Sequence, residues 1–177
     1  AATTQVRKEV VHKIAEILST EFGNPSSTHS IGRSSKSILE NCRKEIAAHF
    51  KVSPAEIIFT SGGTEADNLI INSCVRDLKV ERIITSKIEH KAVLDSCRQL
   101  ETEGFEVTYL DPNNKGIITP NMVSNAITGE TILVSLMHLN NEIGVICDIE
   151  SIGNITREKG IIFHVDAAQS TGKLPID

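Results

Sequence analysis

Aromatic side chains are scarce: Phe, Tyr and Trp make up 3% of the 177 residues, and Trp is absent. A core must therefore be built from Ile, Val, Leu and Ala, and the 40% hydrophobic content supplies enough of them. Long apolar runs are also missing. No stretch approaches the roughly 20 residues that span a bilayer, and no charged segment followed by an apolar one opens the sequence. The expectation is a protein without a membrane segment, in the cytoplasm. Basic clusters are lacking too. The 18 Lys and Arg are scattered among 23 acidic residues, for a net charge of −5. That excludes the concentrated basic face that nucleic-acid phosphates require. Cys42, Cys74, Cys97 and Cys147 are far apart and form no C-x-x-C pair, which argues against a zinc site or a disulfide framework and for reduced thiols. Repeats, low-complexity tracts and Pro/Gly-rich linkers do not occur.

What is present is alternation. Residues 6–19 predict a helix with Val6, Val10, Ile14 and Ile17 on one face. Residues 23–29 read as a loop, and 31–49 as a second helix with Ile38, Cys42 and Ile46 at helical spacing. Ser53-Pro54-Ala55-Glu56 carries a capping signal. Apolar runs at 57–60, 82–85, 107–110, 132–136 and 161–165 read as strands, most of them rich in β-branched residues. Helical patterns fall between them, at about 64–78, 90–103, 120–128 and 149–159. Thr119-Pro120 starts one of these, and Gly160 ends another. Strand–helix–strand alternation predicts an α/β fold with a mainly parallel sheet.

In such sheets ligands bind beyond the carboxyl ends of the strands. Polar clusters follow four of the runs: Ser61-Gly62-Gly63-Thr64, Ser86-Lys87-Ile88-Glu89-His90, His138-Leu139-Asn140-Asn141-Glu142 and Asp166-Ala167-Ala168-Gln169. The first joins a strand to a helix. Its glycines let backbone N–H groups approach an anion, and the helix start adds a positive dipole end. It is a phosphate cradle or, alternatively, a tight turn with a Thr cap. It matches neither the Walker A loop nor G-x-G-x-x-G. Asp166, ending a buried strand, calls for a cationic partner such as a pyridinium nitrogen, or else caps the next helix. His90 could stack on a flat ring and move protons, or cap its own helix. Asn141 and Gln169 suit a phenolic oxygen or a loop carbonyl equally.

The segments FGNPSSTHSIGR (22–33), TSGGTEADNLII (60–71), SKIEHKAVLDSC (86–97), MHLNNEIGV (137–145) and HVDAAQSTGKLPID (164–177), with AATT at the start, closely resemble the cysteine desulfurases. The resemblance runs from Ala1 to Asp177. It implies the three-layer, aspartate-aminotransferase-like large domain of fold-type-I enzymes that depend on pyridoxal 5'-phosphate (PLP). Residues 1–21 would be an N-terminal arm and helix, and 22–177 the first part of the PLP-binding domain. The implied activity takes sulfur from L-cysteine, leaves L-alanine and forms an enzyme persulfide for iron–sulfur clusters and thio-cofactors. Gly63 and Thr64 would hold the phosphate. His90 would stack on the ring and assist proton transfer, and Asn141 would lie near the ring oxygen and substrate. Asp166 would pair with the ring nitrogen, and Gln169 with the ring hydroxyl. Homodimerisation and an iron–sulfur scaffold or other sulfur-acceptor partner are implied as well.

The same resemblance places the family's Schiff-base lysine and persulfide cysteine beyond Asp177, and Lys173 does not match the lysine motif. Cys42, Cys74 and Cys97 read as buried structural thiols, and Cys147 as structural or partly exposed. The family's last strands and small domain also lie beyond Asp177, and two of those strands would flank the run at 57–60. The expectation is that residues 1–177 alone are inactive and, with several strand groups orphaned at about 1–3 kcal/mol each, do not fold as an isolated monomer. Selenocysteine lyase and a non-catalytic PLP-binding scaffold remain the alternatives.

Overall fold

The computed structural model describes residues 3–129 and 133–176. They form two compact units, Thr3–Phe59 and Thr60–Ile176.

The first unit is helical. Helix α1 (Lys8–Thr20) has no buried residue, and the apolar face expected at Val10 and Ile14 is exposed. Helix α2 (Ser30–Phe50) is capped by His29, whose Nδ1 accepts from the Gly32 N–H at 3.3 Å. Gly32 is required by crowding: a Cβ there would lie 2.6 Å from the carbonyl oxygens of Asn24 and Ser27. Only Gly32 and Ala47 of α2 are buried. Cys42 is consequently exposed, contrary to the expectation of a buried thiol, because this unit holds no sheet to cover that face. A short 3-10 turn, Pro54–Glu56, carries the expected capping box. The Ser53 N–H donates to Glu56 Oε2 at 2.7 Å, and the Ala55 N–H to Ser53 Oγ at 3.3 Å.

The run at 57–60 is not a strand. It joins no ladder among the described residues. Arg43 Nη1 donates to the Ile57 carbonyl, and the Arg43 guanidinium lies 4.7 Å from the Phe59 ring centroid. Ile58 is 70% exposed. Its β-branched sequence favours extended backbone, but ladder formation needs partner strands.

The second unit is α/β, as expected. Its strands are β1 (Arg82–Ser86), β2 (Glu106–Leu110), β3 (Leu133–Met137) and β4 (Ile162–Asp166). They form one sheet in the order β2-β1-β3-β4, and every pairing is parallel. Ile132, expected to open the third of these strands, lies outside the described residues. The helices are α3 (Gly63–Arg76), α4 (Lys91–Thr102), α5 (Pro120–Ala126) and α6 (Ile149–Glu158). Thr119 caps α5, accepting from the Met122 N–H at 3.4 Å. Gly160, at φ +65°, turns the chain after α6, a left-handed conformation that costs glycine little.

The two-residue period of the strands separates two cores. Ile83 and Leu133 pack with Ile71, Cys74 and Val75 of α3 and with Val93, Cys97 and Leu100 of α4. Ile84, Val134 and Leu136 pack on the opposite side with Val123 of α5 and Ile152 of α6. The result is three layers, with the central strands β1 and β3 buried on both faces and the edge strands β2 and β4 half-buried. Each fully buried Ile or Leu contributes about 1.5–3 kcal/mol, and this packing holds the strand ends in place for the site.

Candidate functional site

All six residues singled out in the sequence line one cleft of about 230 Å³ at the carboxyl ends of the strands: Gly63, Thr64, His90, Asn141, Asp166 and Gln169. Asp67, Met137 and Ala168 complete its wall.

The cleft is assembled from helix starts and strand ends. Gly62 caps α3 without a side chain, so no side-chain group satisfies the first-turn N–H groups there. A Cβ at Gly63 would meet only the Ala168 Cβ, at 3.7 Å; close approach of a ligand to the backbone, not crowding, is what glycine permits here. Upstream, Glu65 Oε2 accepts from the Ser61 N–H at 2.6 Å, and hydrogen bonding from the Ser61 side chain first and its backbone second holds the Glu65 carboxyl below its ordinary range.

His90 caps α4, with Nδ1 accepting from the Ala92 N–H at 3.2 Å. Capping and a place in the cleft are therefore compatible roles: the cap uses Nδ1 and leaves Nε2. The same holds for Asp166. Its Oδ1 accepts from the Ala168 N–H at 2.9 Å, while the residue lines the cleft at the end of β4. Gln169 Oε1 accepts from Lys173 Nζ at 3.2 Å.

Asn141 is presented by a loop that its neighbour builds. Asn140 is buried, and its Oδ1 accepts from the N–H groups of Glu142 and Ile143 at 2.8 and 2.9 Å. Its Nδ2 donates to the Ile88 carbonyl at 2.8 Å, tying this loop to the one before His90.

Three further titratable residues stand around the cleft: Asp67 and His164, which the sequence did not single out, and Glu89, which it placed in a strand-end cluster without a role. Asp67 is only 5% exposed, and its carboxyl is raised to about 6, by burial first and then by the negative charge of Asp166, against the opposing effect of His90. His164, buried on β4, places Nε2 3.5 Å from Asp67 Oδ1 and Nδ1 2.9 Å from Ser135 Oγ. Burial lowers its pKa, against the charge of Asp166. Glu89 is 6% exposed and raised to about 8 by burial, with Asp166 adding to the rise and the Ser86 hydroxyl, donating to Oε1 at 2.5 Å, opposing it. Periodicity was the available signal. His164 and Asp166 are two apart on a strand and share a face, and Asp67 lies one helical turn after Thr64.

Of the other thiols, Cys74 and Cys97 are buried as expected, and Cys147 is half-buried. Burial pushes Cys97 and Cys147 up to about 12. Cys147 Sγ sits 3.8 Å from the Ile118 carbonyl oxygen. None of the four lines the cleft. No helix among the described residues is long and apolar enough to cross a membrane.

The donor set fits a phosphorylated, aromatic, nitrogen-containing ring. A side-chain-free helix start suits the phosphate, a carboxylate suits a ring N–H, and an imidazole and two amides border the space between.

The family model described as aminotransferase class-V matches residues 1–177. The chain is 53% identical over 182 aligned positions to the protein named "Cysteine desulfurase IscS" in Pseudomonas aeruginosa (strain UCBPP-PA14), covering 100% of this chain and 45% of that protein. Identity and coverage are the same for the IscS of Azotobacter vinelandii (strain DJ / ATCC BAA-1303). The chain thus spans about half the length of the curated relatives it matches. Among solved structures, "SspA in complex with cysteine" superposes with a TM-score of 0.94 at 41% identity, covering 99% of this chain and 51% of that one. DndA from Streptomyces lividans gives 0.89 at 40% identity, covering 99% and 50%.

Proposed function

From the premise that the chain belongs to the aminotransferase class-V family, whose members depend on PLP, we propose that it forms the cofactor-binding part of a cysteine desulfurase. The observation that carries this reading is the convergence of Gly63, Thr64, His90, Asn141, Asp166 and Gln169 on one cleft. The proposed organisation keeps residues 1–21 as an arm and helix and 22–177 as the first part of the large domain.

When bound, PLP supplies an electron sink for carbanion chemistry next to an amino group. The chain's own residues then have distinct tasks. The first-turn N–H groups at Gly63 and Thr64, with the Thr64 hydroxyl, bind the phosphate, helped by the helix dipole. Asp166 holds a proton at the ring nitrogen and keeps that atom cationic. Gln169 and Asn141 hydrogen-bond the ring oxygen and orient the ring. His90 covers the ring face and moves protons at the substrate, its Nδ1 fixed by the Ala92 N–H.

The substrate of this reading is L-cysteine, the products are L-alanine and a protein persulfide, and the destination of the sulfur is iron–sulfur cluster or thio-cofactor synthesis. The working form is a cytoplasmic homodimer that passes sulfur to a scaffold or acceptor protein. The names of the relatives and the cysteine complex of one structural neighbour support this choice over other class-V chemistry.

The test is to purify the natural gene product carrying this sequence, add L-cysteine and quantify alanine and, with a thiol reductant, sulfide. Equal amounts of both are expected. Alanine without sulfide, or neither, would overturn the reading.

A further inference from the structure

The cleft contains a second carboxylate, and the cofactor reading gives it no task. Asp67 lines the cleft together with Asp166 yet is almost completely buried. A buried Asp without a full cationic partner is costly, so its surroundings matter.

Those surroundings are ordered through three elements. Ser135 on β3 stands opposite His164 on β4 in the strand register, and Met137 stands opposite Asp166. Ser135 Oγ contacts His164 Nδ1 at 2.9 Å, and His164 Nε2 points at Asp67 Oδ1 at 3.5 Å. With Ser135 donating to Nδ1, the imidazole carries its hydrogen on Nε2 and turns it toward Asp67. On the α3 side, Asn68 beside Asp67 is engaged elsewhere: its Oδ1 accepts from Ser96 Oγ at 2.8 Å. The strand face therefore runs from apolar Leu133 and Ile162 through Ser135 and His164 to Asp166 at the cleft, with Asp67 laid across its polar end.

Resting on the cofactor reading above, we propose that Asp67, aimed by His164 and lining the same cleft as Asp166, is a positioning residue for Asp166: Asp67 holds a proton in the cofactor-free protein and gives it up to solvent when a cationic ring N–H arrives at Asp166. Asp166 bonds the ring; Asp67 acts through Asp166. The titratable groups facing Asp67 are His164 and Asp166 from β4, His90 from the start of α4, and Glu89 just before it. The negative charge of Asp166 raises Asp67, and a neighbouring cation would offset that charge. Binding should then release a proton from Asp67 near pH 6.

The experiment uses the natural gene product freed of cofactor. PLP, and separately 4'-deoxypyridoxine phosphate, which has the ring nitrogen and phosphate but no aldehyde, are titrated calorimetrically between pH 5.5 and 8. Two buffers of different ionisation enthalpy report the protons exchanged. The wild type should release a fraction of a proton at pH 5.5–6.5 beyond that of Asp67→Asn. Asp67→Asn should bind about tenfold more weakly at pH 7.5, the size of effect expected for removing one nearby charge. His164→Gln, which keeps the carboxylate but not its orientation, should fall between them. A purely structural role would weaken binding equally at every pH and leave the proton count unchanged, and that result overturns the proposal. A wild type that binds neither compound overturns the cofactor reading and this proposal with it; binding with identical proton counts in wild type and Asp67→Asn overturns this proposal alone.

Discussion

Nε2 of His164 lies 3.5 Å from Oδ1 of Asp67, with both side chains buried and Asp67 lining the cleft together with Asp166. Neither residue gains stability from this arrangement as a fully charged pair. Burial raises the Asp67 carboxyl to about 6 and lowers His164, so each is pushed toward its neutral form.

The Asp67 shift makes a stability prediction for the cofactor-free protein. A carboxyl raised from 3.8 to about 6 contributes stability that is complete below pH 3.8 and is lost as pH rises through 6. Asp67→Asn removes that loss. Relative to the wild type, the variant should gain about 1–3 kcal/mol between pH 4 and pH 7, read from urea unfolding at the two pH values. A wild-type-minus-variant difference that does not change with pH would contradict the burial argument.

Glu89 should show the same sign in a higher window. Its carboxyl is raised to about 8 chiefly by burial, while the Ser86 hydroxyl donates to its Oε1. Stability linked to this group is intact below pH 4.5 and lost as pH climbs through 8. Thermal melts of the natural protein should decline between about pH 5 and 8, and Glu89→Gln should flatten that decline. A variant melting curve that falls as steeply as the wild type would assign the loss to another group.

Thiol accessibility gives an independent check on the fold. Cys42 is exposed, Cys74 and Cys97 are buried, and Cys147 is half-buried with its thiol pushed up to about 12. A short iodoacetamide pulse followed by peptide mapping should modify Cys42 well ahead of the other three, since the thiolate is the reactive form. Rapid labelling of Cys97 would show that the α3–α4 face is not packed as described.

The parallel sheet was legible because strands such as Arg82–Ser86 and Ile162–Asp166 carry β-branched runs bounded by polar strand ends. Most of the cleft was legible for the same topological reason: His90, Asn141, Asp166 and Gln169 lie at or after strand ends, which converge, whereas Gly63 and Thr64 follow no strand among the described residues. The run at 57–60 looks like a strand by composition and fails as one because pairing is a tertiary property that composition does not contain. Cys42 was misjudged on similar grounds. Helical spacing places it on the face of Ile38 and Ile46, but spacing does not say what covers that face. Periodicity places His164 on the face of Asp166 and Asp67 one turn after Thr64, but only the β4–α3 packing makes Asp67 and His164 a pair.

The central claim is that Asp166 sustains a cationic ring nitrogen in a PLP site built from these strand ends. The most direct measurement compares wild-type natural gene product with Asp166→Ala for PLP content, visible absorbance and cysteine-dependent release of alanine and sulfide. The account predicts a coloured, active wild type and a variant slowed by at least about 100-fold, its fold intact by circular dichroism. A wild type that takes up no PLP, or an Asp166→Ala variant that keeps wild-type turnover, would contradict it.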